Sequence, residues 1–476
     1  MPISSASVTE LFSGSFPYTP TKDQKMLIEK LSGFIVSSEE NKLFLVKGYA
    51  GTGKTTVVST LVKILTKLKL NSVLLAPTGR AAKVFSSYAG VPAYTIHKGI
   101  YRVNEEDSNF VINIRENKSK NTIFIVDEAS MIAGEAANPS QLFPASNLLE
   151  DLLTFVFSGE NCSLVFVGDT AQLPPVGSTI SPALNEKYLK SIFHLNAVSF
   201  ELTEVVRQQE SSGILANATH IRKLVNAGKI RHDFFETGRY KDVIRINGPE
   251  LEDAMNTAYS ASGDTESIVI CRSNKRANLF NNEIRRRLLF REGDINAGDK
   301  IMIVKNNYYW ISKKSRAGFI ANGDIAEILR IKKIEQFNDE FSFADATIRL
   351  LDYPEEKDFE AKLLLNTLSS ESPSLPNADF RRLFNAVAEN YAHIPEKFKR
   401  YKQIYNDPHL NALQIKFAYA MTCHKTQGGQ WEQVFVEQGY LTDEMINTEY
   451  LRWLYTAVTR STKKLYLVNF NDRFFR

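Results

Sequence analysis

The stretch Leu43-Phe-Leu-Val-Lys-Gly48-Tyr-Ala-Gly51-Thr52-Gly53-Lys54-Thr55-Thr56 decides how the rest of the chain reads. A short apolar run leads into a glycine-rich turn, and a helix is expected to start near Lys54. Gly48, four residues, then Gly53-Lys54-Thr55 is the spacing of a phosphate-cradling loop. Glycine lets the backbone curl so that its N–H groups face phosphate oxygens without side-chain clashes. The following helix adds the positive end of its dipole. Lys54 then reaches the outer phosphates, and the Thr55 hydroxyl is suited to hold Mg²⁺.

Three further runs resemble the first: Ser72–Ala76, Thr122–Val126 and Ser163–Val167. They are short, rich in branched residues and separated by helical stretches, as expected for an α/β fold with a parallel sheet buried on both faces. Ligands of such sheets bind at the carboxyl ends of the strands. There the chain carries Pro77-Thr78-Gly-Arg80, Asp127-Glu128 and Gly168-Asp169-Thr-Ala-Gln172. Asp127 is placed to hold Mg²⁺ through water, and Glu128 to orient and deprotonate an attacking water. Thr21 reads as a helix N-cap, and Gln24 carries an amide able to read adenine by donating and accepting. Residues 1–17 read as loose.

A second set of apolar runs, Ser267–Ile270, Lys416–Ala420, Gln433–Val436 and Lys464–Val468, predicts a second α/β sheet. Between its parts, residues 300–411 are first β-rich and then helical and basic near Lys397–Lys402, which suggests a small barrel with a helical projection. Two alternating segments around Asn104–Asn109 predict a β-hairpin inserted after Thr95-Ile-His97.

Composition sets broad limits. A chain of 476 residues holds about three domain-sized units. Its net charge of +4 permits a nucleic-acid partner without demanding one. The three cysteines, Cys162, Cys271 and Cys423, form no close pair, which argues against a disulfide framework or zinc site and for a reducing, cytoplasmic setting. No apolar run approaches the ~20 residues that span a bilayer, so no membrane partner is expected.

Taken in order, the blocks Gln24, Gly48–Thr56, Ala76–Ala82, Thr95–His97, Asp127–Met131, Gly168–Val176, Leu202–Gln208, Asn322–Asp324, Tyr419–Gly428 and Tyr455–Arg460 resemble the superfamily 1B DNA helicases of the Dda/RecD-like group. The related yeast-mitochondrial type carries a Pro-Phe-Gly-Gly signature that residues 132–167 lack. The resemblance implies two RecA-like domains, one at 1–200 with a hairpin (pin) insertion at 98–121, the other at 201–299 and 412–476. Residues 300–411 would form an SH3-like insertion.

It also implies an ATP- and Mg²⁺-dependent motor, monomeric, moving 5′→3′ on single-stranded DNA and opening duplex junctions in replication, repair or recombination. Lys54, Asp127, Glu128, Gln172, Arg207 and Arg460 would serve hydrolysis. Gln24, Gly48, Gly51, Thr52, Gly53, Lys54, Thr55, Thr56, Gln427 and Gly428 would hold the nucleotide, with Thr55 and Asp127 on the metal. Pro77, Thr78, Thr95, His97, Thr422 and His424 would line the DNA, and Phe110, with Tyr101 second, would be the wedge. An RNA helicase, or a phosphate-loop kinase or switch that handles no polymer, are the alternatives; stimulation of ATPase by DNA, by RNA or by neither separates the three.

Overall fold

The computed structural model describes residues 4–106, 109–134, 147–206, 212–227, 232–311 and 319–476. Six parallel strands form the first sheet, in the order Ala93–Thr95, Asn71–Ala76, Thr122–Val126, Ser163–Gly168, Lys42–Gly48, Asn196–Leu202. Alternation along each strand divides its side chains between two cores. Phe44, Val46, Ile125, Val165 and Val167 enter one; Leu43, Leu45, Phe124, Val126, Leu164 and Phe166 enter the other. A strand buried on both faces must be apolar at every position, which is why these runs stand out in the sequence.

The second sheet is also parallel: Ala420–Thr422, Ser267–Cys271, Trp431–Glu437, Ser461–Val468, Val243–Ile246. Between its first strands the chain builds a closed barrel from Lys300–Ile303, Ile325–Phe337, Phe341–Leu350, Phe359–Leu364 and Leu413–Phe417. Helices Asn377–Asn390 and Lys397–Tyr405 rest on the barrel through Leu383, Val387 and Ile404, which meet Phe341, Phe343 and Leu364.

Three expectations need correction. The run Lys416–Ala420 is not one strand of the second sheet. Leu413–Phe417 closes the barrel, and only Ala420–Thr422 joins the sheet. The insertion therefore extends to 417 rather than ending at 411. The buried amide of Asn281 holds the crossing, accepting from the N–H groups of Tyr419 and Ala420 at 3.0 and 2.8 Å and donating to the Ala420 carbonyl at 2.9 Å. Residues 1–17 are not loose: Ser5–Ser15 is a helix capped by Ser4, and Val8 and Phe12, one turn apart, are fully buried against the first core. The hairpin is shorter than 98–121. Residues Ile96–Ile100 form a helical turn, and Tyr101–Glu106 pairs antiparallel with Asn109–Ile114.

Thr21 caps Lys22–Val36 as read, within a capping box. The three cysteines are free and buried. Among the described residues, no helix is long and apolar enough to cross a membrane.

Phe12 offers a direct test of the amino-terminal helix. Phe12→Ala should destabilise the first sheet domain by about 3–5 kcal/mol, read as an earlier urea midpoint; a loose segment would give no shift.

Candidate active site at the cleft between the two sheets

The helix after the phosphate loop starts at Lys54. Gly51 and Gly53 adopt positive φ of 77° and 84°, the left-handed region open to glycine. A Cβ at Gly53 would lie 2.4 Å from the Gln24 amide nitrogen. That amide already bonds at both ends: Nε2 donates to the Thr52 carbonyl at 3.0 Å, and Oε1 accepts from Thr21 N–H at 3.0 Å. Gln24 thus props the loop, and reading adenine would require it to exchange these bonds. The Lys54 ammonium lies inside the loop, donating to the Gly48 and Tyr49 carbonyls at 2.7 and 2.9 Å. Gly48 is equally confined, since a Cβ there would come within 2.9 Å of the Thr52 hydroxyl. Thr56, in the first helical turn, accepts from Ser59 and Thr60.

Thr55, Tyr88, Asp127 and Glu128 form one wall of a cleft of about 500 Å³. Gly428 and Trp431 of the second sheet domain and Ile325 and Asp352 of the barrel close it. Asp127 accepts from the Tyr88 hydroxyl and from Glu128 N–H. Glu128 sits at φ 51°, an uncommon conformation for this residue and one that clusters at functional sites. Burial pushes both carboxyls above their usual range; for Glu128 the Arg460 guanidinium is the strongest opposing influence, and Lys54 also opposes. Tyr88 escaped the sequence reading, because a tyrosine on a helix twelve residues downstream of a strand end carries no local signal.

Arg460 is buried on the second sheet domain, donating to the carbonyls of Thr456 and Gly429 at 3.0 and 3.2 Å and to the Thr459 hydroxyl at 3.2 Å. Asp169 accepts from the Tyr455 hydroxyl at 2.6 Å, and the same hydroxyl accepts from Ala50 N–H in the phosphate loop at 2.8 Å. Thr456 accepts from Leu173 N–H at 2.9 Å, and Gln427 donates to the Leu173 carbonyl at 2.8 Å. Gln172 is buried, and its Oε1 has no partner within the described chain. Gly428, at φ 73°, lies so close to the first domain that a Cβ would meet Ala81 Cβ at 2.7 Å and the Thr78 hydroxyl at 3.3 Å. Arg207 lies outside the described residues; Val206, just before it, donates its N–H to the Gly51 carbonyl at 3.0 Å.

The residues expected along DNA fall at the carboxyl ends of strands at or next to a sheet edge. Pro77 and Thr78 follow Asn71–Ala76, Thr95 ends Ala93–Thr95, and Thr422 and His424 end or follow Ala420–Thr422. The Thr78 and Thr95 hydroxyls cap helices by accepting from Ala81 and Lys98 N–H, both at 3.2 Å. Thr95 is buried, so its part is to set the turn that presents His97. His97 rests against Tyr101 and Phe319, with ring centroids 5.6 and 6.4 Å away, and burial lowers its pKa to about 4, leaving it neutral near pH 7. Burial also lowers the pKa of His424.

Asn322 accepts from Lys425 at 2.6 Å. Buried Asp324 abuts Gly79, where a Cβ would meet its Oδ1 at 2.3 Å. Arg80 stacks 4.0 Å above the Trp431 ring. Tyr101 pairs with Ile114 at the hairpin root, and its hydroxyl donates to Asp151 at 2.6 Å. It is an anchor rather than a tip. Phe110 pairs with Glu105, one step from the terminal pair Glu106 and Asn109; its side chain lies outside the described residues.

Two family descriptions match the chain: an AAA domain over residues 21–239 and a UvrD-like helicase C-terminal domain over 417–468. The chain is similar to the ATP-dependent DNA helicase Dda of enterobacteria phage T4, 25% identical over 411 residues, covering 82% of this chain and 86% of Dda. It is 30% identical over 199 residues to the RecD2 DNA helicase of Deinococcus radiodurans, covering 42% of this chain and 24% of that protein. An uncharacterised protein of Acanthamoeba polyphaga mimivirus is 23% identical over 522 residues, covering 93% of this chain and 98% of its own length. Among solved structures, a Bacteroides Pif1 helicase with ADP-AlF3 and ssDNA aligns over 96% of this chain and 95% of its own, at 14% identity and TM-score 0.48.

Both halves of this site can be tested by loss. Glu128→Gln should lower kcat for ATP by about 10²–10⁴-fold while nucleotide binding persists, and Arg460→Ala should lower kcat by about 10³-fold or more with little change in KM. Steady-state ATPase and equilibrium nucleotide titration on the same preparations check both.

Proposed function

We propose that this chain is an ATP- and Mg²⁺-dependent DNA helicase that moves 5′→3′ along a single strand as a monomer and separates duplex at its hairpin. The observation that carries the reading is the division of the hydrolytic groups. Asp127 and Glu128 stand on the first sheet, Arg460 on the second, and the Arg460 guanidinium acts on the Glu128 carboxyl across the cleft. A phosphate-loop kinase or switch that works within one domain has no use for such a split.

In this reading ATP lies between the sheets with its phosphates in the loop 48–55. Lys54 turns from the Gly48 and Tyr49 carbonyls to the outer phosphates, and Glu128 takes the proton of the attacking water. Arg460, with Arg207 from the segment that follows Val206, balances charge as the terminal phosphoryl group leaves. Gln172, its carbonyl oxygen without a partner among the described residues, senses that group. Thr55 and Asp127 supply oxygen donors facing one cleft, the donor type Mg²⁺ takes alongside substrate phosphates. When bound, the ion would neutralise phosphate charge there.

Coupling to DNA follows from what spans the cleft. Loss of the terminal phosphate removes a ligand shared by both sheets, so they part, and the sites at Thr78–His97 and Thr422–His424 change spacing along the strand. The strand direction and the preference for DNA rest on the resemblance to Dda and RecD2. Phe110 is assigned the wedge, since an aromatic ring there replaces the stacking lost as a base pair opens.

Unwinding should require a 5′ single-stranded tail. A 3′-tailed duplex opened equally well would overturn the polarity, and equal ATPase stimulation by a matched RNA strand would point to an RNA substrate. Phe110→Ala should keep single-strand-stimulated ATPase and lose unwinding by about tenfold, the equivalent of one stacked base; parallel loss of both activities would remove the wedge role.

A further inference from the structure

The helix Lys397–Tyr405 has the sequence Lys-Phe-Lys-Arg-Tyr-Lys-Gln-Ile-Tyr. It carries four cations and no acid, as much positive charge as the whole 476-residue chain carries net. Other surface cations are paired, as Arg287 is with Glu283, Lys332 with Glu360 and Arg349 with Asp358. Lys397, Lys399, Arg400 and Lys402 make no ion pair among the described residues. Two aromatic rings stand among them in solvent, Phe398 at 53% and Tyr401 at 40% exposure. Only Ile404 of this helix is buried, so the helix is held by its far end and presents the rest outward.

The acids at its base are already engaged. Asp407 accepts from Tyr391 at 2.9 Å and faces His409 at 3.1 Å, and Glu335 is shared by His409 and Lys362. They leave the basic face uncompensated.

The arm also lies on the hairpin side of the barrel. His97 at the hairpin root contacts Phe319, whose ring centroid is 4.9 Å from that of Tyr308. Three residues before Tyr308, the Lys305 ammonium lies 4.8 Å from the Phe380 ring centroid on the first helix of the arm. Phe319 and residues 305–308 therefore link the hairpin root to the helix Asn377–Asn390, whose Phe384 ring lies 5.9 Å from that of Tyr405 on the basic helix; the two helices together form the arm.

We infer that the helix Lys397–Tyr405 is a second single-strand site, which receives the strand displaced at the hairpin. Unpaired cations interleaved with exposed rings suit a single-stranded nucleic acid, whose phosphates take the cations and whose unstacked bases take the rings. A duplex offers phosphates but no free base faces, and an acidic protein segment gives the rings no role. The inference rests on the helicase reading and adds a role for the strand that the motor does not track.

The test compares two 5′-tailed duplexes, one with and one without a 3′ tail on the displaced strand. For the wild type, the displaced tail should tighten binding about tenfold or more. Replacing Lys397, Lys399, Arg400 and Lys402 together with Gln should abolish that gain and lower the salt slope of fork binding by about 2–3, from about 0.7 per phosphate contact on single strands. The double variant Phe398→Ala, Tyr401→Ala should remove about tenfold of the gain with the salt slope kept. Both variants should retain ATPase stimulated by a short single strand, which shows that they fold and that the tracking site is intact. A wild type stimulated by single strands yet indifferent to the displaced tail overturns this inference alone. Loss of binding to a polyglutamate peptide with fork binding intact would overturn it in favour of an acidic protein partner. ATPase indifferent to any single strand overturns the helicase reading and this inference with it.

Discussion

One buried phenol sets the relation between the two halves of the molecule. The Tyr455 hydroxyl, on the second sheet domain, is bonded at once to Asp169 and to Ala50 N–H, so it touches the fourth strand end and the phosphate loop of the first. Asp169 is almost fully buried, and a buried carboxylate needs its hydrogen bonds; losing one leaves a desolvated acceptor at about 1–3 kcal/mol or more. The two sheets are thereby held at a fixed distance while those bonds last. The adjacent bonds from Leu173 to Thr456 and from Gln427 to Leu173 lie in the same seam.

The order of strands in space explains how one sheet serves two ligands. Across the first sheet the strand ends carry, in turn, Thr95, Pro77-Thr78, Asp127-Glu128, Asp169-Gln172, the phosphate loop and the segment before Arg207. The expected DNA contacts occupy one edge and the nucleotide contacts the middle and the other edge, with the acidic pair between them. In sequence these blocks interleave, because parallel strands are joined by crossovers and neighbours in the sheet need not be neighbours in the chain. On the second sheet, Thr422 and His424 follow an edge strand as well, so the two candidate DNA edges meet where Gly428 abuts Thr78 and Ala81.

Much of this was legible because the informative residues are governed by local physics. Strands buried on both faces are apolar throughout, and a phosphate loop needs glycines at fixed offsets. Both leave marks within a dozen residues. What was missed depends on distant partners. The run Lys416–Ala420 reads as one strand because both halves are buried; the groups that hold its turn from barrel to sheet, Asn281 among them, lie far back in the chain. The helix Ser5–Ser15 shows only two fully buried apolar positions, too few to announce a helix without the core they enter. Gln24 reads as a base-recognising amide until its two bonds to Thr21 and Thr52 are seen, and Tyr88 means nothing until Asp127 lies beside it.

The central claim is that the Tyr455–Asp169 bond transmits between hydrolysis and the second domain rather than merely filling space. A double-mutant cycle with Tyr455→Phe and Asp169→Asn, read as single-strand-stimulated kcat, tests it most directly. If the bond couples the sheets, the two losses should be non-additive by about 1 kcal/mol or more, as for residues in contact within one network. Additive effects, each variant retaining the other's full loss, would contradict the account.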